Sequence, residues 1–153
     1  MADPVQFDTR DLRTLEKAAR KIDGISKKQI TPAVRKAMRP VLQAAKTKAP
    51  KDTRALSKSL KLMGERSRTP GKKVYQVGPD KAKNDIFVKI SATGKRSYYP
   101  ASQEHGWRLP DGSKVPGKHF MRDAIDEKAP QVASDIVDNI MTEIEKEWVR
   151  QNG

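Results

Sequence analysis

The last third of the chain carries one long apolar stripe, and this feature constrains the fold more than any other. Between Phe120 and Trp148, apolar residues recur every three or four positions, which indicates an amphipathic helix with one buried face. Most acidic residues of this segment fall on the opposite face. Pro130 lies inside the stripe and predicts a kink there, or a second helix that begins there.

Two shorter helices are predicted before it. The first has its apolar residues at helical spacing and ends at Gly24; these residues are Leu12, Leu15, Ala19 and Ile22. The second begins at Thr31-Pro32, an N-cap followed by proline at the first helical position, and ends at Ala49-Pro50. Because Pro40 lies within the second helix, we expect it to kink or split there.

The middle of the chain is dominated by strand patterns. Asp52-Thr53 predicts the cap of a short helix, and strands are predicted over residues 60–63, 74–77 and 86–90. The last of these is the clearest, because β-branched residues occupy alternate positions. Asp-Gly at 111–112 predicts a hairpin or loop tip. We therefore expect a small antiparallel sheet of three to four strands, flanked by two N-terminal helices and the long C-terminal helix.

This segregation of helices and strands predicts an α+β fold in a single domain, residues 1–153. Hydrophobic residues make up 35% of the chain and aromatic residues 5%, which predicts a thin core. Burial is then completed against copies of the chain or against partners. The chain has no cysteine, which excludes disulfides, thiol catalysis and cysteine-ligated zinc.

The net charge of +13 is unevenly distributed. From Asp123 onward there are eight acidic and three basic residues, a net charge of −5, so residues 1–122 carry +18. Three interpretations stay open: the basic body contacts nucleic acid without reading bases, basic and acidic faces meet between subunits, or the lysines only keep the protein soluble. Lys72 and Lys73 lie in a basic turn that either faces solvent or contacts DNA phosphates.

The segment 97–124 contains both histidines and is therefore the candidate for a metal site or a catalytic site. Glu104, His105, Asp111 and His119 are candidate metal ligands, but the two histidines are fourteen positions apart, which matches no tight ligand motif. The nearby serines do not lie in a glycine-flanked nucleophile elbow. We therefore expect no catalytic residue, no metal site and no cofactor.

The same segment gathers aromatic side chains. Tyr98, Tyr99, Trp107 and Phe120 lie within 23 residues, next to basic side chains. Such clusters are typical of interface cores, although they also plug the open side of small sheets. We expect Tyr99 and Phe120 to point inward, and Tyr98 and Trp107 to point toward a neighbouring molecule.

Three sequence motifs, taken in their order along the chain, carry a resemblance to a known family. They are Ala-Pro-Lys-Asp-Thr-Arg-Ala-Leu at 49–56 with Ser59-Leu60, then Tyr98-Tyr99 with Glu-His-Gly at 104–106, and Pro-Gly-Lys-His-Phe-Met-Arg-Asp-Ala at 116–124. Together they resemble the small tail-component family of long-tailed double-stranded DNA bacteriophages, whose members are head–tail joining or tail-completion proteins. Arg54 stands where that pattern has glycine, and His119 where it has proline.

The resemblance implies a structural, non-enzymatic protein of the virion neck that is assembled in the host cytoplasm. It implies a hexameric ring that joins a head-closure protein to a tail terminator or tail tube protein, with genome DNA passing through the lumen. Lys72 and Lys73 would face that DNA. The predicted interface residues are Tyr98, Tyr99, Glu104, His105, Trp107, His119, Phe120 and Arg122. The alternative is a basic cytoplasmic nucleic-acid-binding module without sequence specificity.

Overall fold

The structure is a computed structural model that describes residues 27–52, 54–69 and 72–153. It has the predicted α+β architecture, with helices at the N-terminal side, short antiparallel strands in the middle and one long helix at the end. The helix predicted from Leu12 to Ile22 lies outside the described residues.

Two consecutive helices pack against the long C-terminal helix. Helix α1 spans Lys27–Ala37 and helix α2 spans Arg39–Lys48, separated at Met38. The predicted split next to Pro40 is confirmed, and proline lies in the first turn of α2, where its missing N–H has no partner to lose. The predicted helix start at Thr31-Pro32 is wrong, because Pro32 lies inside α1.

A short helix and a β-ribbon follow. Helix α3 spans Ala55–Ser59 and leads directly into strand β1, Leu60–Gly64. Strand β1 pairs antiparallel with β2, Tyr75–Pro79, in the register Leu62 opposite Val77. These two strands confirm the first two strand predictions to within two residues.

The region after β2 alternates between helical turns and very short strands. A 3₁₀ turn at Lys81–Lys83 and helix α4, Asn84–Phe87, precede strand β3, Val88–Ile90, which pairs with β4, Arg96–Tyr98. The predicted strand over 86–90 is therefore wrong at its start. Asp80 caps the 3₁₀ turn by accepting a hydrogen bond from the N–H of Ala82 at 3.0 Å, so helical backbone is established before the β-branched residues begin.

The last ribbon precedes the long helix. Helix α5 spans Tyr99–His105, and strand β5, Gly106–Arg108, pairs with β6, Lys114–Pro116, around the predicted Asp-Gly turn. In the described residues the strands are paired two by two in three ribbons, rather than in one sheet of three to four strands. Helical segments separate the ribbons along the chain, and the strands of the last two ribbons are only three residues long. These two features prevent a continuous sheet.

Helix α6 spans Phe120–Asn152 and is 33 residues long, roughly 50 Å at 1.5 Å per residue. The helix runs through Pro130, so no second helix begins there. Pro130 is exposed, and solvent can hydrate the carbonyl group that its ring leaves without a partner.

The core is small and rich in alanine, as the composition predicted. One cluster joins α2, α3, α4 and α6; it consists of Ala45, Ala49, Leu56, Leu60, Phe87, Phe120 and Ala124. A second cluster, formed by Ala37, Val41 and Val132, holds α1 and α2 against the middle of α6. Small side chains let these helices approach closely but remove little apolar area from water.

Candidate assembly interface

Glu104 is the structural centre of the segment 98–124. Its side chain is buried, and its two carboxylate oxygens accept hydrogen bonds from the N–H groups of Met121 at 2.9 Å and Arg122 at 3.1 Å. These donors lie in the first turn of α6, where no partner within the helix exists and the helix dipole favours negative charge. Glu104 therefore caps the long helix from outside its own sequence.

Backbone contacts reinforce this junction. The N–H of Lys118 donates to the carbonyl of Gln103 at 2.7 Å, and the N–H of His119 donates to the carbonyl of Glu104 at 3.2 Å. Gly106 and Gly117 make the close approach possible: a Cβ atom on either would collide with backbone atoms of the facing strand or of α5. The end of α5 is thus fixed to the beginning of α6.

An aromatic cluster lies on the other side of α5. Phe87 meets Tyr98 edge-on, with ring centroids 6.4 Å apart, and stacks against Tyr99 at 6.3 Å. The Tyr98 hydroxyl donates to Asn84 and the Tyr99 hydroxyl donates to Asp52, each at 3.4 Å. Partial burial, followed by the nearby Asp52 charge, raises the pKa of the Tyr99 phenol. Tyr99 therefore stays a neutral hydrogen-bond donor at physiological pH.

An open cleft of about 770 Å³ lies beside these aromatic rings; we call it the cleft. Its apolar lining includes Ile86, Phe87, Tyr99 and Trp107, and Lys89 and Arg108 supply positive charge. Ile86 is 61% exposed and Trp107 is 41% exposed, so large apolar side chains face solvent here. Sequence reasoning found Trp107 but missed Ile86, because residues 86–90 have the pattern of a strand with a buried face.

The structure divides the eight predicted interface residues into three groups. Phe120 is 1% exposed and Glu104 is 5% exposed, so both side chains belong to the chain's own packing. Tyr98 and Tyr99 are half-buried. The remaining four face solvent: His105, Trp107, His119 and Arg122. The inward orientation predicted for Phe120 is confirmed, whereas Tyr98 contacts the core rather than pointing only outward.

Lys72 and Lys73 lie apart from this segment, in the loop that connects β1 and β2. Lys72 is exposed, and the ammonium group of Lys73 lies 5.1 Å from the centre of the Tyr75 ring. Arg66 and Arg68 are exposed in the same loop. Sequence reasoning missed these two arginines because they precede the turn on which it focused.

The described residues also bear on metal and membrane sites. Across 27–52, 54–69 and 72–153, no three acidic or histidine side chains are arranged to hold a metal ion. Nor does any helix in that part of the chain have the length and apolar character needed to cross a bilayer.

Comparison with models of protein families identifies the family of the chain. Residues 12–106 match the model of the family described as "Bacteriophage HK97-gp10, putative tail-component". The chain belongs to this HK97-gp10-like family. Searches of curated proteins and of solved structures gave no match.

Membership in the HK97-gp10-like family assigns a role as a bacteriophage tail component, and hence a place in the virion. A tail component is a structural part of the particle. The matched range extends from the N-terminal region through the aromatic cluster and stops at Gly106, next to the capping residue Glu104. The resemblance inferred from the sequence motifs is thereby confirmed.

Proposed function

We propose that this HK97-gp10-like chain is a neck protein that joins the phage head to the tail, as a subunit of a hexameric ring. In this role it bridges a head-closure protein and a tail terminator or tail tube protein. The observation that carries the proposal is the family match over residues 12–106. The uneven charge supports it, because a body of +18 and a terminal segment of −5 attract one another between neighbouring subunits.

The junction around Glu104 suits a connector. The cap and the backbone hydrogen bonds hold α5, the β5–β6 hairpin and α6 in one arrangement. Exposed His105, Trp107, His119 and Arg122 are then presented by a rigid framework, which lowers the entropy lost on association. Glu104 and Phe120 serve the interface indirectly by fixing this framework.

Arg122 is suited to pair with a neighbouring subunit. Its guanidinium lies 3.9 Å from Asp126 of the same helix, and both side chains are more than 70% exposed. An exposed pair with this geometry contributes little to stability. Arg122 can therefore exchange Asp126 for a carboxylate of another subunit at small cost.

Passage of DNA through the ring accounts for the basic loop between β1 and β2. Lys72 and Lys73, together with Arg66 and Arg68, bring four positive charges to one loop. Lysine and arginine that face a lumen contact phosphates without reading bases. This is the contact that a passing genome of arbitrary sequence requires.

Removal of the chain from the phage tests this function. A phage that lacks the chain is expected to accumulate filled heads and complete tails that are not joined. Addition of the purified chain to that lysate is expected to restore joined, infectious particles. Normal head–tail joining without the chain would contradict the proposal.

The alternative function is a basic nucleic-acid-binding module, and the +18 charge of residues 1–122 favours it. It predicts tight binding of the isolated chain to free DNA, with an affinity that falls steeply with salt. The neck protein should bind free DNA weakly, because lumen contacts depend on the assembled ring. Titration of labelled duplex DNA at several salt concentrations separates the two functions.

A further inference from the structure

Helix α6 carries a second apolar stripe that is largely exposed in the described part of the chain, with Ile144 half-buried. Val137, Met141, Ile144 and Trp148 follow one another at spacings of four, three and four, the pattern of a helix-pairing surface; we call this stripe the seam. Val137 and Trp148 are each 61% exposed and Met141 is 51% exposed. At 100° per residue, the seam lies roughly 120–180° around the helix from Val132, which packs on α1 and α2.

Acidic residues beside the seam limit the kind of surface that can pair with it. Asp138 and Glu145 are exposed beside the seam, and the segment from Asp123 onward has a net charge of −5. A two-fold pairing of two seams would bring two acidic helices together, which costs free energy. The seam therefore fits an apolar surface with a basic border.

The cleft has that chemistry. Ile86, Phe87 and Trp107 give it apolar walls, and its lining carries two cations, Lys89 and Arg108, against one carboxylate, Asp52, which accepts a hydrogen bond from the Tyr99 hydroxyl. A tryptophan in an apolar pocket is a frequent anchor of protein interfaces. Trp148 fits the cleft as the anchor, with Glu145 close enough in sequence to meet the cations of the cleft.

Trp148 lies too far from the cleft of its own chain to dock in it. Trp148 lies about 42 Å along the helix axis from Phe120, at 1.5 Å per residue. Phe120 begins α6 beside Glu104 of α5, and α5 also contributes to the cleft. The seam that fills a given cleft must therefore come from another copy. The contact then joins two different patches and can continue from subunit to subunit.

We propose that the seam of one copy docks in the cleft of the next copy, with Trp148 as its anchor. This inference rests on the proposed ring assembly and names the two surfaces that form its repeating contact. It also assigns a role to the apolar residues of the cleft and of α6 that are exposed in the described residues 27–52, 54–69 and 72–153.

Cysteine cross-linking tests the contact directly, because the natural chain contains no cysteine. Ser97→Cys places a thiol in the cleft, and Glu145→Cys places one beside the seam. Mixed under oxidising conditions, the two variants should form a covalent dimer. The control Lys146→Cys is adjacent in sequence but lies on the opposite face of α6, and it should cross-link to Ser97→Cys about tenfold less.

A second experiment uses complementary surface variants. Trp148→Ser removes the anchor and Ile86→Glu blocks the cleft, each at an exposed position where the fold should survive. Neither variant should self-associate, but a mixture should form a dimer and stop there, because only one competent contact remains. Association of the Ile86→Glu variant at the wild-type level would overturn the proposal in favour of direct pairing between seams.

The outcomes separate this inference from the proposed function. A chain found at head–tail junctions without cross-linking, either there or in the purified chain, rejects the seam–cleft contact and keeps the neck function. Efficient cross-linking of a chain that is absent from those junctions rejects the neck function and keeps the contact. Equal cross-linking of the Glu145→Cys and Lys146→Cys variants also rejects the contact.

Discussion

At the scale of single residues, the most consequential side chain is a buried carboxylate. Glu104 satisfies two N–H groups that open a 33-residue helix. A sequence motif drew attention to this glutamate, but its environment could not be predicted. Glutamate is rarely buried, so composition and periodicity favour an exposed position. Only the approach of α5 to α6 reveals its role.

Removal of this cap should destabilise the chain. Glu104→Ala is expected to lower the free energy of unfolding by about 2–3 kcal/mol, because two charge-assisted hydrogen bonds are lost and two partly buried N–H groups lose their acceptor. Glu104→Gln should fall between wild type and alanine, since its amide oxygen can still accept one bond. Urea unfolding followed by circular dichroism measures both. Wild-type stability of the alanine variant would contradict the capping role.

Arg54 reveals a second local constraint. Its φ of 54° lies in the left-handed region, and the carbonyl of Arg54 accepts from the N–H of Lys58 at 3.0 Å to open helix α3. Glycine adopts this conformation without strain, which accounts for a pattern that has glycine at this place. The backbone at this position therefore has a conformation that suits glycine, although arginine occupies it.

Arg54→Gly should therefore stabilise the chain relative to Arg54→Ala. Both variants lose the side chain, but only alanine keeps the left-handed strain, so the glycine variant should be more stable by about 1 kcal/mol. Thermal and chemical unfolding of the pair check this difference. A more stable alanine variant would show that Arg54 does not hold this conformation in solution.

At the scale of elements, two glycines of the β5–β6 hairpin have similar backbone conformations but different surroundings. Gly106 has a φ of 80°, and a Cβ atom there would strike the carbonyl oxygen of Val115. Gly112, in the turn of the same hairpin, has a φ of 84° with open space around it. At both positions the positive φ would strain any residue other than glycine, and the two positions differ only in close packing.

Alanine substitutions at Gly106 and Gly112 provide a matched comparison of unfolding free energies. Gly112→Ala should cost about 1–2 kcal/mol from left-handed strain alone. Gly106→Ala should cost clearly more, because rigid backbone atoms must also move apart. Equal losses of unfolding free energy for the two variants would show that the close approach at Gly106 is absent in solution.

An ion pair connects helices α2 and α6. Lys48 lies 2.9 Å from Glu127, and hydrogen bonds from Lys48 and then Lys128 lower the pKa of Glu127 to about 2 from its ordinary 4.5. Since the pKa is depressed in the folded chain, the stabilisation is fully present above pH 4.5 and is lost as the pH falls toward 2.

Glu127→Gln should remove this pH dependence. The unfolding free energies of wild type and variant are expected to differ above pH 4.5 and to converge near pH 2. Because both side chains are largely exposed, added salt should reduce the difference. A difference that is constant across this pH range would contradict the ion pair. Unfolding at several pH values in low and high salt provides the measurement.

Element types were predictable where periodicity is long or turn chemistry is strong. The final helix, the split next to Pro40 and the Asp-Gly hairpin followed from local pattern. The pairing of strands into three separate ribbons did not, because it depends on tertiary contacts between short segments. The helical turn at 84–87 was missed because alternation of β-branched residues favours a strand, whereas the chain enters this turn from the 3₁₀ turn at 81–83 that Asp80 caps.

At the scale of the whole molecule, composition predicted a thin core, and the described residues have one. In this part of the chain the core is rich in alanine, and large apolar side chains form exposed surface. The sequence could not reveal that this surface is divided between the cleft and the seam. That division depends on the direction of α6 relative to α5, which the buried Glu104 fixes.

The central claim is that the chain functions as a ring subunit in the neck of the virion. Native mass spectrometry of neck complexes released from purified particles tests it most directly. The account predicts a complex whose mass contains six copies of this chain bound to head-closure or tail proteins. A chain found only as a monomer, both when purified and in complexes released from particles, would contradict the account.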